Sequence, residues 1–98
     1  MKNPIGNLHK VFESRIRLGI MSALMVNETI DFNALKELLE VTDGNLASHL
    51  KALELNEIIT VSKQFVGRKP STTYQATILG KQLFLQHLNA LEKLINRQ

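Results

Sequence analysis

Gly44, Asn45, Ser48, Lys51 and Ala52 are spaced to lie on one side of a helix, while Leu46, Leu50 and Leu53 recur on the other at steps of four and three. The first group forms a small, polar face with a single cation. Hydrogen-bonding tips without bulk suit close approach to another surface, whereas a face built for solvent usually carries long charged side chains spaced for ion pairs. A second group lies further on. Lys63, Arg68, Lys69 and Lys81 fall in residues 58–81, which contain no acid and carry +4, while residues 27–57 carry −5 within a chain of net +3. A basic segment beside an acidic one suits contact with a polyanion. A solvated helix face and a solvated hairpin that merely lacks acids are the plain alternatives.

Other chemistries find no footing. The chain has no Cys, which removes disulfides, thiolate zinc sites and cysteine nucleophiles. His9, His49 and His87 are far apart in sequence, so no metal-sensing set is expected. Hydrolase, P-loop, CxxC and HExxH patterns do not occur, and no carboxylate pair stands in a catalytic setting. Neither an enzyme nor a cofactor is expected.

The elements that must hold the two groups are readable from periodicity and capping. Leu8, Val11, Phe12, Ile16, Ile20, Ala23 and Leu24 recur at helical steps between Asn7 and about Met25, and Ser14 is placed to start a second helix inside that stretch. One helix and two helices both fit. Thr29 to Asp31 reads as a bridge strand, with Asp31 capping a helix from Phe32 to about Leu39 whose Leu35, Leu38 and Leu39 face inward and which Val41 ends. Thr42 is the N-cap of the helix that runs to about Asn56, and Asp43 suits its positive end. Ile58 to Val66 and Ser71 to Thr77 are two strands of a hairpin with Gly67 to Pro70 as its basic tip. Thr77 caps a last helix from Ile78, apolar over more than one stripe.

Within that last helix Phe84, Leu88, Leu91 and Ile95 recur at steps of four, three and four. That is heptad spacing, although an ordinary packed helix fits so short a run as well. A helix that one core covers on one side needs a second partner, most simply another copy of the chain. Leu8, Val11, Phe12, Phe84, Leu88, Leu91 and Ile95 are therefore the expected dimer contacts.

With 98 residues, 44% of them hydrophobic and 21% charged, the composition fits one compact, mostly helical domain over residues 1–98. No apolar run approaches the ~20 residues of a spanning helix, so a soluble, cytoplasmic protein without a membrane partner is expected.

The order helix, short strand, helix, helix, basic hairpin, helix is that of a winged helix-turn-helix. Specific residues turn the topology into a family resemblance. The segments from Ser14 to Ile20 with Leu24, from Ile30 to Lys36, from Val41 to Glu54, from Arg68 to Tyr74 and from Thr77 to Lys81 together resemble compact MarR/ArsR-like winged-helix transcriptional regulators. The segment from Val41 to Glu54 is the most specific of these, being close to the family's TDGNLSxHLxxLE pattern. The match covers about residues 14–81, with two departures. Asn56 stands where relatives often have Gly, and its tolerance of the left-handed conformation would preserve the turn. Ala47 stands where many carry Ser, so any contact made by that hydroxyl is absent.

The resemblance implies a mainly α fold with a small β-hairpin, binding double-stranded DNA as a homodimer and acting as a regulator, more specifically a repressor. The helix at about 43–56 would enter the major groove, with the wing at about 58–77 beside it and the terminal helix at about 78–96 pairing the subunits. On the helix the implied base and phosphate contacts are Thr42, Asn45, Ser48, His49 and Lys51, and on the wing Lys63, Arg68 and Lys69. Asn45 as a helix-start cap, His49 as a packed interior group and Arg68 as a carboxylate-held stiffener of the hairpin remain alternatives. With so little chain outside the core no dedicated ligand domain is expected, and no small-molecule effector is evident, although one could still bind at the dimer interface. A winged helix used as a protein-interaction or assembly module is the competing function, which would call for an apolar outer face or an acidic wing.

Overall fold

The computed structural model describes residues 4–96. Two short 3-10 turns, Pro4–Asn7 and Lys10–Phe12, precede α1 (Arg15–Val26). Ser14 decides between one helix and two: its extended backbone breaks the chain direction, and its hydroxyl accepts from the Arg17 amide. The apolar period that runs through residues 7–25 therefore belongs to two packed segments.

β1 (Ile30–Asp31) leads directly into α2 (Phe32–Leu39), where Asp31 accepts from the Ala34 amide at 2.7 Å. α2 closes at Leu39, as expected, with Glu40 as C-cap in a left-handed conformation at φ 52°. Leu35 is fully buried and Leu39 packs on the core. Leu38, expected to face inward, is 62% exposed; α2 presents too narrow a stripe to bury three adjacent leucines.

α3 (Asp43–Leu55) starts on Thr42, whose hydroxyl accepts from the Asn45 amide. Asn56 does not use the left-handed conformation expected of it. It sits at φ −89°, and the positive φ falls on Glu57 at 61°. The reversal into the wing is thus made one residue later, fixed by hydrogen bonds from Glu57 N to Glu54 O and from Ile58 N to Leu53 O.

β2 (Ile59–Val66) and β3 (Lys69–Ala76) form the hairpin, and β1 adds to β3 at Thr73 and Tyr74, giving the antiparallel order β1-β3-β2. Val66 pairs with Lys69, so the tip is the two-residue turn Gly67-Arg68 and is tighter than expected. Gly67 supplies the positive φ, 67°, that such a turn needs at its first position.

α4 (Ile78–Ile95) is capped by Thr77, which accepts from the Gly80 amide while its hydroxyl lies 2.7 Å from Glu57 O and 3.0 Å from Ile58 O. Gly80 permits this junction, since a Cβ there would collide with the Ile58 carbonyl. The core gathers Phe12, Ile20, Met21, Leu24, Leu35, Leu46, Leu53, Ile58, Ile59 and Phe84, a shared centre on which all four helices and the base of the wing are set. No helix among the described residues is long and apolar enough to cross a membrane.

Candidate nucleic-acid interface

Burying Leu46, Leu50 and Leu53 fixes the rotation of α3. Asn45, Ser48 and Lys51 consequently stand exposed on its outer side, together with Gly44 and Ala47; Ala52 is half-buried at the margin. The side chains of Asn45 and Ser48 make no hydrogen bond with any described residue, and their polar groups stay free for a ligand. Lys51 lies 3.7 Å from Glu54, a loose surface pair that a stronger anion can displace. The negative charge at the start of the helix is also partly met within the chain, since Asp43 pairs with Lys36 of α2 at 2.8 Å.

Thr42 and His49 are held differently from the others. The Thr42 hydroxyl is an N-cap, so one of its lone pairs serves the helix, leaving its O–H and a second lone pair for other contacts. His49 is half-buried, and its Nδ1 accepts from Arg17 Nε at 3.0 Å. Arg17 Nη1 also donates to Val11 O at 3.3 Å. An accepting Nδ1 requires neutral imidazole with its proton on Nε2. Desolvation, and secondarily the neighbouring guanidinium, lower the His49 pKa and favour that neutral form. His49 therefore joins α3 to α1, and a single N–H remains for contact beyond the chain. Sequence reasoning misses this role of Arg17, although a signal exists: Arg17 lies one turn before the buried Ile20 and Met21, and a cation at such a position requires an internal partner.

The wing cations are open. Lys63, Arg68 and Lys69 are exposed, and none forms an ion pair among the described residues, so Arg68 is not carboxylate-held there. The interface thus joins a polar, nearly uncharged helix face to a separate cationic hairpin.

The residues expected at a dimer contact divide into three groups by burial. Phe12 is fully buried and Phe84 is 2% exposed; their rings meet edge to face at 5.1 Å inside the chain's own core and are unavailable to a second copy. Phe84 therefore packs as in an ordinary core helix, the alternative that its spacing also allows. On α4 the side chains of Phe84, His87 and Ala90 are buried, while Leu85, Leu88 and Ile95 are exposed, Leu88 and Ile95 lying on the same side of the helix as Phe84 but outside the cover of the core. Leu8, Val11 and Leu91 are half-buried.

His87, to which the sequence assigns no role, anchors the N-terminal turns. Its Nδ1 accepts from the His9 amide at 3.0 Å, and its ring meets Phe12 edge to face. Burial, then the neighbouring His9, lower the His87 pKa, against a smaller raising effect of Glu13. The His9 ring lies 2.6 Å from Gln86 Oε1, and Gln86 in turn donates to Asn7.

Comparison with known proteins gives the same architecture. The family described as "Winged helix DNA-binding domain" matches residues 16–95. An uncharacterized protein of Methanocaldococcus jannaschii is 35% identical over 79 residues, covering 81% of this chain and 86% of that protein. A solved transcriptional regulator homologue from Pyrococcus horikoshii superposes with a TM-score of 0.87 at 27% identity, over 97% of this chain and 96% of the other. A MarR-family regulator from Enterococcus faecalis shares the fold at a TM-score of 0.70 and 22% identity, over 88% and 74% of the two chains.

Proposed function

Because the chain belongs to the winged helix DNA-binding domain family, whose fold is that of transcriptional regulators and not of enzymes, we propose that it binds a specific double-stranded DNA operator as a homodimer and acts as a repressor. The outer side of α3 supports this most directly, with Asn45 and Ser48 exposed and unbonded above three buried leucines. In this reading α3 lies in the major groove. Asn45 recognises adenine through paired hydrogen bonds, and Ser48 makes a less selective contact. Lys51 and the Thr42 O–H serve the phosphates or neighbouring base edges, and the His49 Nε2–H is a donor at the flank. Lys63, Arg68 and Lys69 neutralise phosphates beside the groove. Because α3 offers only one Lys, affinity depends heavily on the wing and on doubling by the second subunit.

The dimer is proposed through the exposed apolar side chains of α4, where Leu85, Leu88 and Ile95 are 50%, 40% and 71% exposed. Apolar surface of this kind on a helix is covered by the same surface of a second copy under two-fold symmetry. Repression follows from occupancy, since a dimer seated across a promoter excludes polymerase without a further contact. The testing experiment is selection of genomic fragments by the purified protein, followed by footprinting. An inverted repeat with half-sites about one helical turn apart, or a multiple of it, is expected. Recovery of fragments with no shared sequence, or protection of one unsymmetrical half-site, refutes the reading.

A further inference from the structure

The wing carries an apolar feature that phosphate neutralisation does not use. Phe65 and Pro70 are directly opposed across the hairpin, next to its tip. Opposed residues share a sheet face, and every second residue returns to it. The face that holds Phe65 and Pro70 is therefore the one that buries Ile59 and Ala76 at the hairpin's base. Ile59 is 1% exposed, whereas Phe65 is 74% exposed, because the strand has by then run out beyond the core. Pro70 is tolerated in the strand there, since β1 covers β3 only at Thr73 and Tyr74 and leaves the outer edge open.

One exposed Phe has no meaning by itself; its surroundings give it one. Lys63 stands two residues before it on the same face, and Arg68 and Lys69 lie at the turn. No acid occurs anywhere in residues 58–91. An apolar knob with one cation on its own face, Lys63, and two more at the adjoining turn, of which Lys69 pairs with Val66 on the opposite face, is complementary to a target with an apolar interior between two anionic rails. Stacked bases between phosphate backbones have that character, and apolar side chains entering the minor groove partly unstack them.

We propose that Phe65, backed by Pro70, is a wedge that enters the minor groove beside the half-site and partly unstacks one base step, so that this protein bends its operator. The proposal rests on the DNA-binding reading above and adds a second source of specificity to it. Pyrimidine–purine steps unstack most readily, so the sequence under the wing is selected through deformability at positions that Asn45 and Ser48 do not reach.

The test uses the full chain with a selected operator duplex that carries a dye at each end and 2-aminopurine at the step under the wing. The unmodified protein should bend the duplex by an angle within the ~20 to 90° typical of apolar wedges and raise the 2-aminopurine fluorescence. Phe65→Ala should retain its circular dichroism yet leave the duplex nearly straight and the fluorescence quenched, while Phe65→Leu keeps most of both signals. Unmodified protein that binds its operator without bending it overturns the wedge and leaves the DNA reading intact. A role in stiffening the hairpin predicts instead that Phe65→Ala weakens binding to every duplex with the bend unchanged, and this result also overturns the wedge. Failure of the unmodified protein to bind any selected duplex refutes the DNA reading, and the wedge with it.

Discussion

Arg17 of α1 donates through Nε to Nδ1 of His49 on α3 at 3.0 Å, and the same guanidinium reaches the Val11 carbonyl. One side chain therefore ties α3, α1 and the N-terminal turns into a single unit. Rotation of α3 relative to α1 breaks this contact, so the angle at which Asn45 and Ser48 are offered is set partly by a residue outside α3.

This contact makes stability depend on pH. Both His49 and His87 accept through Nδ1, and both have lowered pKa values. Folding thus favours their neutral forms, and the unfolded chain binds more protons between the lowered values and the unfolded value of about 6.5. Their contribution is complete above that unfolded value and is lost as pH falls through the folded values. Urea denaturation at pH 7.5 and 5.5 should show lower stability at the acid end, and replacing both histidines by Gln should reduce that difference. An unchanged difference in the double variant would show that other groups control it.

Wing and helix should separate in their salt dependence. Removing Arg68 or Lys69 should weaken binding to operator and scrambled DNA alike and lower the log–log salt slope by roughly 0.9 for each phosphate no longer neutralised. Asn45→Ala or Ser48→Ala should cost about 1 to 3 kcal/mol on the operator and leave non-specific affinity nearly unchanged. Titrations at several salt concentrations distinguish the two classes. If the Asn45 and Ser48 variants bind both DNAs equally weakly, those residues position the protein without reading sequence.

Buried and exposed apolar positions of α4 should respond differently to substitution. Phe84→Ala removes a ring packed against Phe12 and should destabilise the chain by about 3 to 5 kcal/mol. Leu85→Glu with Leu88→Glu acts on exposed positions and should yield a folded monomer, seen as unchanged circular dichroism with a halved mass in sedimentation. A stable monomer for the unmodified chain at micromolar concentration would remove the dimer.

At the wing's base Gly80→Ala should be costly for its size, on the order of 1 to 3 kcal/mol, because the new methyl meets the Ile58 carbonyl that also accepts from the Thr77 amide. Thr77→Ala should remove the cap of α4, at a cost of about 0.5 to 2 kcal/mol. Thermal denaturation of both variants measures this, and a Gly80→Ala protein as stable as the parent would show that the junction can relax.

Features that depend on a residue and its immediate neighbours were legible in the sequence. The caps Asp31, Thr42 and Thr77 need only a side-chain oxygen within reach of an amide one turn on, and each occurs where the sequence puts it. The rotation of α3 followed from three leucines at fixed steps, and with it the outward face of Asn45 and Ser48. The family pattern from Val41 to Glu54 added the placement of that face on a winged helix. Tertiary structure decided whatever depends on which of several apolar or polar options the core accepts. Leu38 and Phe84 both fit an apolar stripe, yet one is 62% and the other 2% exposed, because a core of limited width covers only part of each helix. The positive φ went to Glu57 and not to Asn56, because the wing's pairing with the rest of the chain fixes where the turn must close. His49 and His87 met their partners Arg17 and His9 across 32 and 78 residues of sequence. Local spacing carries no record of such distant contacts, since packing of the whole chain brings those groups together.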